Sequence, residues 1–180
     1  MGKCDGASTA KSLYYSMSGL LESDFSPLLQ PGFHPSSLPG LEVMCVDAFN
    51  PKSTTRENIM EGLKQVLNQL ASVSLQCDVW VDGGFLTEKI NPKDSDIVIR
   101  ASGPYVESAS QSIKDVVKWL GTDLKPKFLC HCFFLPVYSV GHQLYDTARK
   151  LDAYWKGQFG FSRANNPKGI AVIKLCGGVQ

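Results

Sequence analysis

Apolar positions recur along this chain with two periods, and the alternation between them sets out an order of elements. Ile59, Leu63, Val66, Leu67 and Leu70 fall at spacings near 3.6 behind the turn Asn50-Pro51-Lys52-Ser53-Thr54, which predicts a helix from Thr55 to Ser72. Cys77 to Val81 reads as a short strand, Asp82 to Gly84 as a turn, and Asp96 to Arg100 as a second strand beyond a polar loop. Ile113, Val116, Val117 and Leu120 mark one face of a second helix that stops at Gly121. Phe128 to Val137 predicts a third strand, His142 to Trp155 a third helix, and Gly169 to Leu175 a last strand carrying Ile170, Val172 and Ile173. Helix, two strands, helix, strand, helix, strand is the order of an α+β domain with one small mixed β-sheet flanked by helices. From Pro27 to Gly40 the density of Pro and Gly breaks helix and ladder alike, so this stretch reads as an ordered or semi-ordered leader and not as a core element.

At 180 residues the chain fits one domain. The expected division is a leader over 1–26, open to disorder at its start, and a domain over 27–180. The balance of 18 Lys and Arg against 17 Asp and Glu leaves a net charge of +1, so no whole-molecule field draws the chain onto nucleic acid or anionic membrane. A polyanion site must be local, and no extended nucleic-acid surface is expected. The 43% hydrophobic and 19% charged shares exclude a disordered chain. The longest apolar stretch, Phe128 to Val140, is broken by His131 and Pro136 and falls short of the roughly 18–20 residues a bilayer span needs. Met1-Gly2-Lys3 has no apolar run behind it, and Gly6 stands where a myristoylation signal wants Ser or Thr. A cytoplasmic location without membrane contact is expected. The scattered cysteines, Cys4, Cys45, Cys77, Cys130, Cys132 and Cys176, sit largely in apolar stretches and suit a reducing compartment. Cys130-His131-Cys132 makes a poor zinc site, because neighbours on a strand point to opposite faces and no CxxC pair lies elsewhere.

The stretch that carries chemistry is Val79-Trp80-Val81-Asp82-Gly83-Gly84-Phe85, followed after a polar loop by Asp94-Ser95-Asp96-Ile97-Val98-Ile99. A strand running into Gly83-Gly84 lets a phosphate approach backbone N–H groups, since no Cβ blocks the way. Nine residues, Phe85 to Lys93, then lead to Asp94. Period two puts Asp94 and Asp96 on one face, where two carboxylates can share divalent cations. Such cations bridge phosphate oxygens and neutralise developing charge in phosphoryl and nucleotidyl transfer. A polar turn after Asn91-Pro92 leading into a strand is the plainer alternative for the same residues.

This pattern resembles the signature of the nucleotidyltransferase superfamily, the fold of DNA polymerase β and of small bacterial minimal nucleotidyltransferases. The flanks are similar to a family of small, mostly uncharacterised nucleotidyltransferase-like proteins of bacteria and mobile elements, relatives of toxin–antitoxin nucleotidyltransferases. They include Leu29-Gln30-Pro31-Gly32-Phe33-His34, Phe49, Arg56, Tyr154-Trp155, Phe159-Gly160, Arg163 and Lys168-Gly169-Ile170. The resemblance covers Pro27 to Leu175. It implies that Gly83 and Gly84 cradle an NTP triphosphate and that Asp94 and Asp96 bind Mg2+ or Mn2+; Lys93, Arg163 and Lys168 read as nucleotide-binding because each could neutralise phosphate, Arg163 and Lys168 lying in the tail that carries the resemblance. Of the other basic residues, Lys89 and Arg100 could also neutralise phosphate.

Three departures stand out. Gly84 takes a position usually held by Ser, Ser95 a position usually apolar, and His131 the position expected of a third carboxylate on the strand after the second helix. There is no Asp or Glu from Lys125 to Tyr145. A neutral imidazole is a competent general base and a metal ligand, though one that prefers softer ions than Mg2+. The expected activity is therefore metal-dependent transfer of an NMP group from an NTP to a hydroxyl of a protein, RNA or small molecule, with Asp94, Asp96 and His131 as catalytic residues. A toxin–antitoxin or phage-defence setting would fit it. The alternative is a catalytically degenerate fold that binds a nucleotide or a protein partner. Tyr154, Trp155, Phe159 and Phe161 could stack on a base or form the edge of a core.

Overall fold

In the computed structural model, which describes residues 25–178, the period-two segments pair into one five-stranded sheet of order β1-β5-β2-β3-β4. Its strands are β1 (Gly32–Pro35), β2 (Cys77–Asp82), β3 (Ser95–Ser102), β4 (Cys130–Val137) and β5 (Gly169–Leu175). β1 runs parallel to β5 and β3 parallel to β4, while β2 is antiparallel to both β5 and β3. The helices are α1 (Leu38–Cys45), α2 (Arg56–Ser72), α3 (Gly103–Ser108), α4 (Gln111–Leu120), α5 (Lys125–Phe128) and α6 (Tyr145–Gly160). This is an α+β fold with a mixed sheet. No helix among the described residues is long and apolar enough to cross a membrane. Most of the expected leader, with Cys4, lies outside the described residues.

Alternation gives the sheet two unlike faces. Val79, Val81, Ile97, Ile99, Cys130, Cys132, Ala171 and Ile173 point to a large core completed by Ile59, Leu63, Val66 and Leu70 of α2 and by Ile113, Val116 and Leu120 of α4. Each buried Leu, Ile or Val side chain contributes roughly 1.5–3 kcal/mol by leaving water. Trp80, Val98, Leu135 and Ile170 point the other way into a smaller core closed by Phe159 of α6, with Phe133, Leu151 and Trp155 packed against it. The cysteines behave as small hydrophobes: Cys45, Cys77, Cys130 and Cys132 are free and buried, and burial pushes the Cys45 and Cys77 thiols up to about 12.

Several expected boundaries move. The stretch expected to stay out of the core supplies β1 and the start of α1, whose Leu41 and Cys45 are fully buried. Ser37 caps α1 through Gly40 N–H, and Pro39 fits the first turn, where no donor is needed. Phe128 belongs to a helical turn and not to β4, because the chain turns at Leu129 in the left-handed region before the strand begins. Gly62 of α2 permits that turn to pack close, since a Cβ there would strike the Phe128 carbonyl. The helix expected from His142 begins at Tyr145, because His142 stays in the preceding turn with Nδ1 accepting from Leu144 N–H; it runs on to Gly160 because Phe159 extends its buried face. Asp82, expected in a turn, is the last residue of β2.

Arg56 is the one cationic side chain among the described residues that is buried in the core, 1% exposed. Its guanidinium donates to the carbonyls of Cys45, Phe85, Thr87 and Lys89 at 2.6–2.8 Å and lies 3.6 Å from the centre of the Phe49 ring. The residues that follow the Gly-Gly turn are thus tied to α1 and α2. Asn91 adds a second tie, accepting from Thr54 N–H at 2.9 Å. Replacing Arg56 by Leu strands these carbonyls without donors, and urea denaturation should record a loss of roughly 3 kcal/mol or more.

Candidate functional site

β2 ends at the level where β3 and β4 begin, and their register brings three polar side chains into a row. Asp82 is paired with Asp96, and Asp96 with His131. Directly opposed residues share a face, so all three stand on the side of the sheet that carries the smaller core. One step along, Trp80, Val98 and Phe133 form an apolar row in the same register; the next step brings Asp78 and Arg100. Arg100 is turned to Asp78 at 3.4 Å and Asp152 at 3.6 Å, away from the Asp82 row, so it does not join the site. Asp94 lies one residue before β3, where the expected strand alternation has not begun, yet it reaches the same cleft.

Gly83 and Gly84 do different work. Gly83 has φ +87° and ψ −167°, a conformation all but restricted to glycine, and a Cβ there would come within 2.6 Å of Asp96 Oδ2. Its missing side chain lets the turn close against the Asp96 carboxylate. A Cβ on Gly84 would meet nothing nearer than Lys89 and Pro92 at 3.6 Å, ordinary contact distance, so this position has room for a side chain.

Each acid at this end faces a base. Lys168 Nζ lies 2.6 Å from Asp82 Oδ2, Lys125 pairs with Asp94, and His131 Nδ1 stands 3.5 Å from Asp96 Oδ1. Asp82 is 2% exposed, and burial raises its carboxyl to about 6 against the opposing pull of Lys168. The Gly83 N–H adds a weaker pull, but Asp82 Oδ1 is buried and makes no hydrogen bond of its own. Burial and the neighbouring Asp94 charge also raise Asp96, while Asp94 holds the Lys125 ammonium above its ordinary range.

These residues line a cleft of about 930 Å3, within the usual range for small-molecule sites. Gly83, Gly84, Lys89, Lys93, Asp94, Asp96, His131, Arg163 and Lys168 all reach it, so of the residues read from the sequence for phosphate, nucleotide or metal only Arg100 stands apart. Arg163 comes from the loop between α6 and β5, pinched by a bridge between Phe161 and Pro167; Lys168 follows it directly. Opposite stand the aromatics of α6. Phe133 lies 4.3 Å from the His131 ring and 4.1 Å from Trp155, forming a continuous wall from the polar row outward. Phe159 is buried core, whereas Tyr154 and Phe161 are about half exposed at the cleft. Phe25 and Ser26, the described end of the expected leader, also line it.

Sequence reasoning missed two site residues, Asp82 and Lys125. Period two from Trp80 would have put Asp82 on the cleft face had the strand been carried one residue further. Lys125 gave no comparable signal, because it reaches Asp94 only through the turn of α5 ahead of β4. The cysteines flanking His131 face the main core while His131 faces the cleft, the alternation that argues against a zinc site there. Among the described residues no group of three or more His, Cys, Asp or Glu is placed to hold a metal ion as the side chains stand.

A family model described as a family of unknown function, DUF6932, matches residues 21–174. No curated protein and no solved structure matches the chain.

The two glycines should respond differently to substitution. Gly83→Ala should lose about 1–3 kcal/mol by backbone strain alone, whereas Gly84→Ser should stay within about 0.5 kcal/mol of wild type; chemical denaturation distinguishes them. Asp82 should also leave a pH signature. Between about pH 4 and 6 the folded chain holds a proton that the unfolded chain has released, so stability falls as pH rises through this window. Relative to Asp82→Asn, the wild type should lose on the order of 2 kcal/mol across it, measured by urea denaturation in EDTA; a constant difference would place the buried carboxyl at its ordinary pKa.

Proposed function

The chain belongs to this family of unknown function, and from that premise we propose that it is a metal-dependent nucleotidyltransferase, moving an NMP group from an NTP to a hydroxyl. The observation that carries the reading is the placement of Asp94 and Asp96 beside the Gly83-Gly84 turn in one cleft, with Lys93, Arg163 and Lys168 around them. Divalent cations of the Mg2+ or Mn2+ kind suit the site on the chemistry of its donors. Asp94 and Asp96 offer hard carboxylate oxygens, and the missing Gly83 side chain keeps Asp96 Oδ2 uncovered by any Cβ. When bound, such an ion neutralises charge on the phosphates and acidifies an attacking hydroxyl.

The chain's own residues divide the remaining work. Backbone N–H groups of the Gly83-Gly84 turn can take phosphate oxygens, and the cationic side chains offset triphosphate charge. The acceptor hydroxyl oxygen attacks the α-phosphorus, a new P–O bond forms, the bond to the β-phosphate bridging oxygen breaks, and pyrophosphate leaves. The hydroxyl proton goes to a base. His131 suits that role: Nδ1 stands 3.5 Å from Asp96 Oδ1, an approach that would orient the ring and leave Nε2 to accept. The aromatic wall gives a base or an acceptor ring a surface to stack on. A second reading, a binder without turnover, is favoured by one observation, the imidazole of His131 where the resembling families carry their third carboxylate.

Incubation with radiolabelled NTPs, Mn2+ and hydroxyl-bearing protein, RNA and small-molecule acceptors decides between them. Label transfer should occur and should fall by roughly 100-fold or more in Asp94→Asn and Asp96→Asn. Nucleotide binding by calorimetry with no transfer, unchanged in His131→Asp, would support the binder.

A further inference from the structure

The third acid need not come from β4. Asp82 stands on β2, one strand to the other side of Asp96 from His131, in register with Asp96 and on the same face. It is among the least exposed acids described, and a carboxylate is costly to bury unless charge or hydrogen bonds compensate it. Lys168 compensates one oxygen. The other, Oδ1, is buried without a hydrogen bond in a residue that lines the cleft. A carboxylate kept only as the counter-ion of a lysine has no use for an unpartnered oxygen beside two further acids. A cation does.

We infer that Asp82 is the third carboxylate of the metal site, supplied from β2 where the resembling proteins supply theirs from the strand at His131, and that Lys168 holds it until a cation arrives. The inference rests on the nucleotidyltransferase reading and assigns a ligand that reading leaves out. As the side chains stand, Lys168 and Lys125 are paired with carboxylates a cation would use, and no group of three such ligands among the described residues is yet placed to hold one. An exchange of partners keeps the charge balanced. Asp82 passes from the lysine to the cation, and Lys168, on the same cleft, passes from the carboxylate to a phosphate oxygen of the incoming nucleotide.

Mn2+ alone serves as the probe, titrated by calorimetry and followed by electron paramagnetic resonance. Removing the competing ammonium in Lys168→Met should tighten Mn2+ binding at least about tenfold, the scale on which groups around a metal site change its affinity. The double variant Asp82→Asn, Lys168→Met should lose that gain. Lys168→Gln, which retains a donor toward Asp82, takes the place of Lys168→Met if the latter does not fold. If the double variant binds Mn2+ as tightly as Lys168→Met, Asp82 is only a counter-ion and the inference fails while the metal-dependent reading stands. If neither the wild type nor the Lys168 variants bind Mn2+, both fail.

Discussion

A strand sends every second side chain to the same side, and here β2, β3 and β4 are locked in a register that adds their alternations row by row. Asp82, Asp96 and His131 form one row, Trp80, Val98 and Phe133 the next. A slip of one residue in either pairing would carry the acids into the main core and bring Val81, Ile97 or Cys132 out to the cleft. The register is defended by the apolar cost of that exchange, since the residues alternating with the acids are buried on the opposite face. Polar site and hydrophobic core are therefore a single constraint: the packing that stabilises the domain is what lines up the carboxylates. The apolar row beside them is packed under Phe159 and Trp155 of α6, and Phe133, Trp155 and Phe159 carry that packing out to the cleft.

The loop that also lines the cleft is held differently. The segment after Gly84 has little regular structure of its own, and its carbonyls need donors. Arg56 supplies several from a position fully inside the core. Burying a guanidinium without a carboxylate is expensive, and burial lowers its affinity for the proton. The cost is offset by carbonyl dipoles and by the Phe49 ring beneath it. The arrangement ties the path of this cleft-lining loop to the packing of α1 and α2. Beyond the single 3-10 turn at Gly84–Leu86, the loop is thus held without a strand or helix of its own, with Lys89 and Lys93 at the cleft.

Much of this was legible in the residues. α2 and α4 follow from periodicity because their apolar positions face a single core, and β2, β5 and the body of β3 follow because they are short apolar runs buried on both faces of the sheet. The residues gathered in the cleft were legible because a glycine pair and two acids flank one short loop. What was not legible depends on contacts between distant segments. β1 pairs only with β5 and leaves Phe33 about half exposed, so neither apolar alternation nor burial marks it, and Pro35 argues against it. α5 is one turn, and its close seat against α2 depends on the missing side chain of Gly62. Asp82 was hidden for another reason: an acid beside two glycines reads as a turn, and only the pairing with Asp96 makes it a buried strand end.

The charges of the cleft argue for the kind of ligand it suits. Asp82, Asp94 and Asp96 crowd one end closely enough that burial and mutual repulsion raise both Asp82 and Asp96, so a bare polyanion would meet carboxylates there. Lys125 and Lys168 stand against the same acids, with Lys93 and Arg163 on the cleft, so a bare cation would have to compete with ammonium groups already in place. A ligand carrying both signs faces neither penalty. Its cation can satisfy the acids while its anionic groups draw the lysines off them, and each exchange makes the other easier. The metal-bound nucleoside triphosphate of the proposed function has that charge pattern, and on that proposal its base and sugar would lie along the aromatic wall that begins at Phe133. Metal and nucleotide should then bind as one cooperative unit.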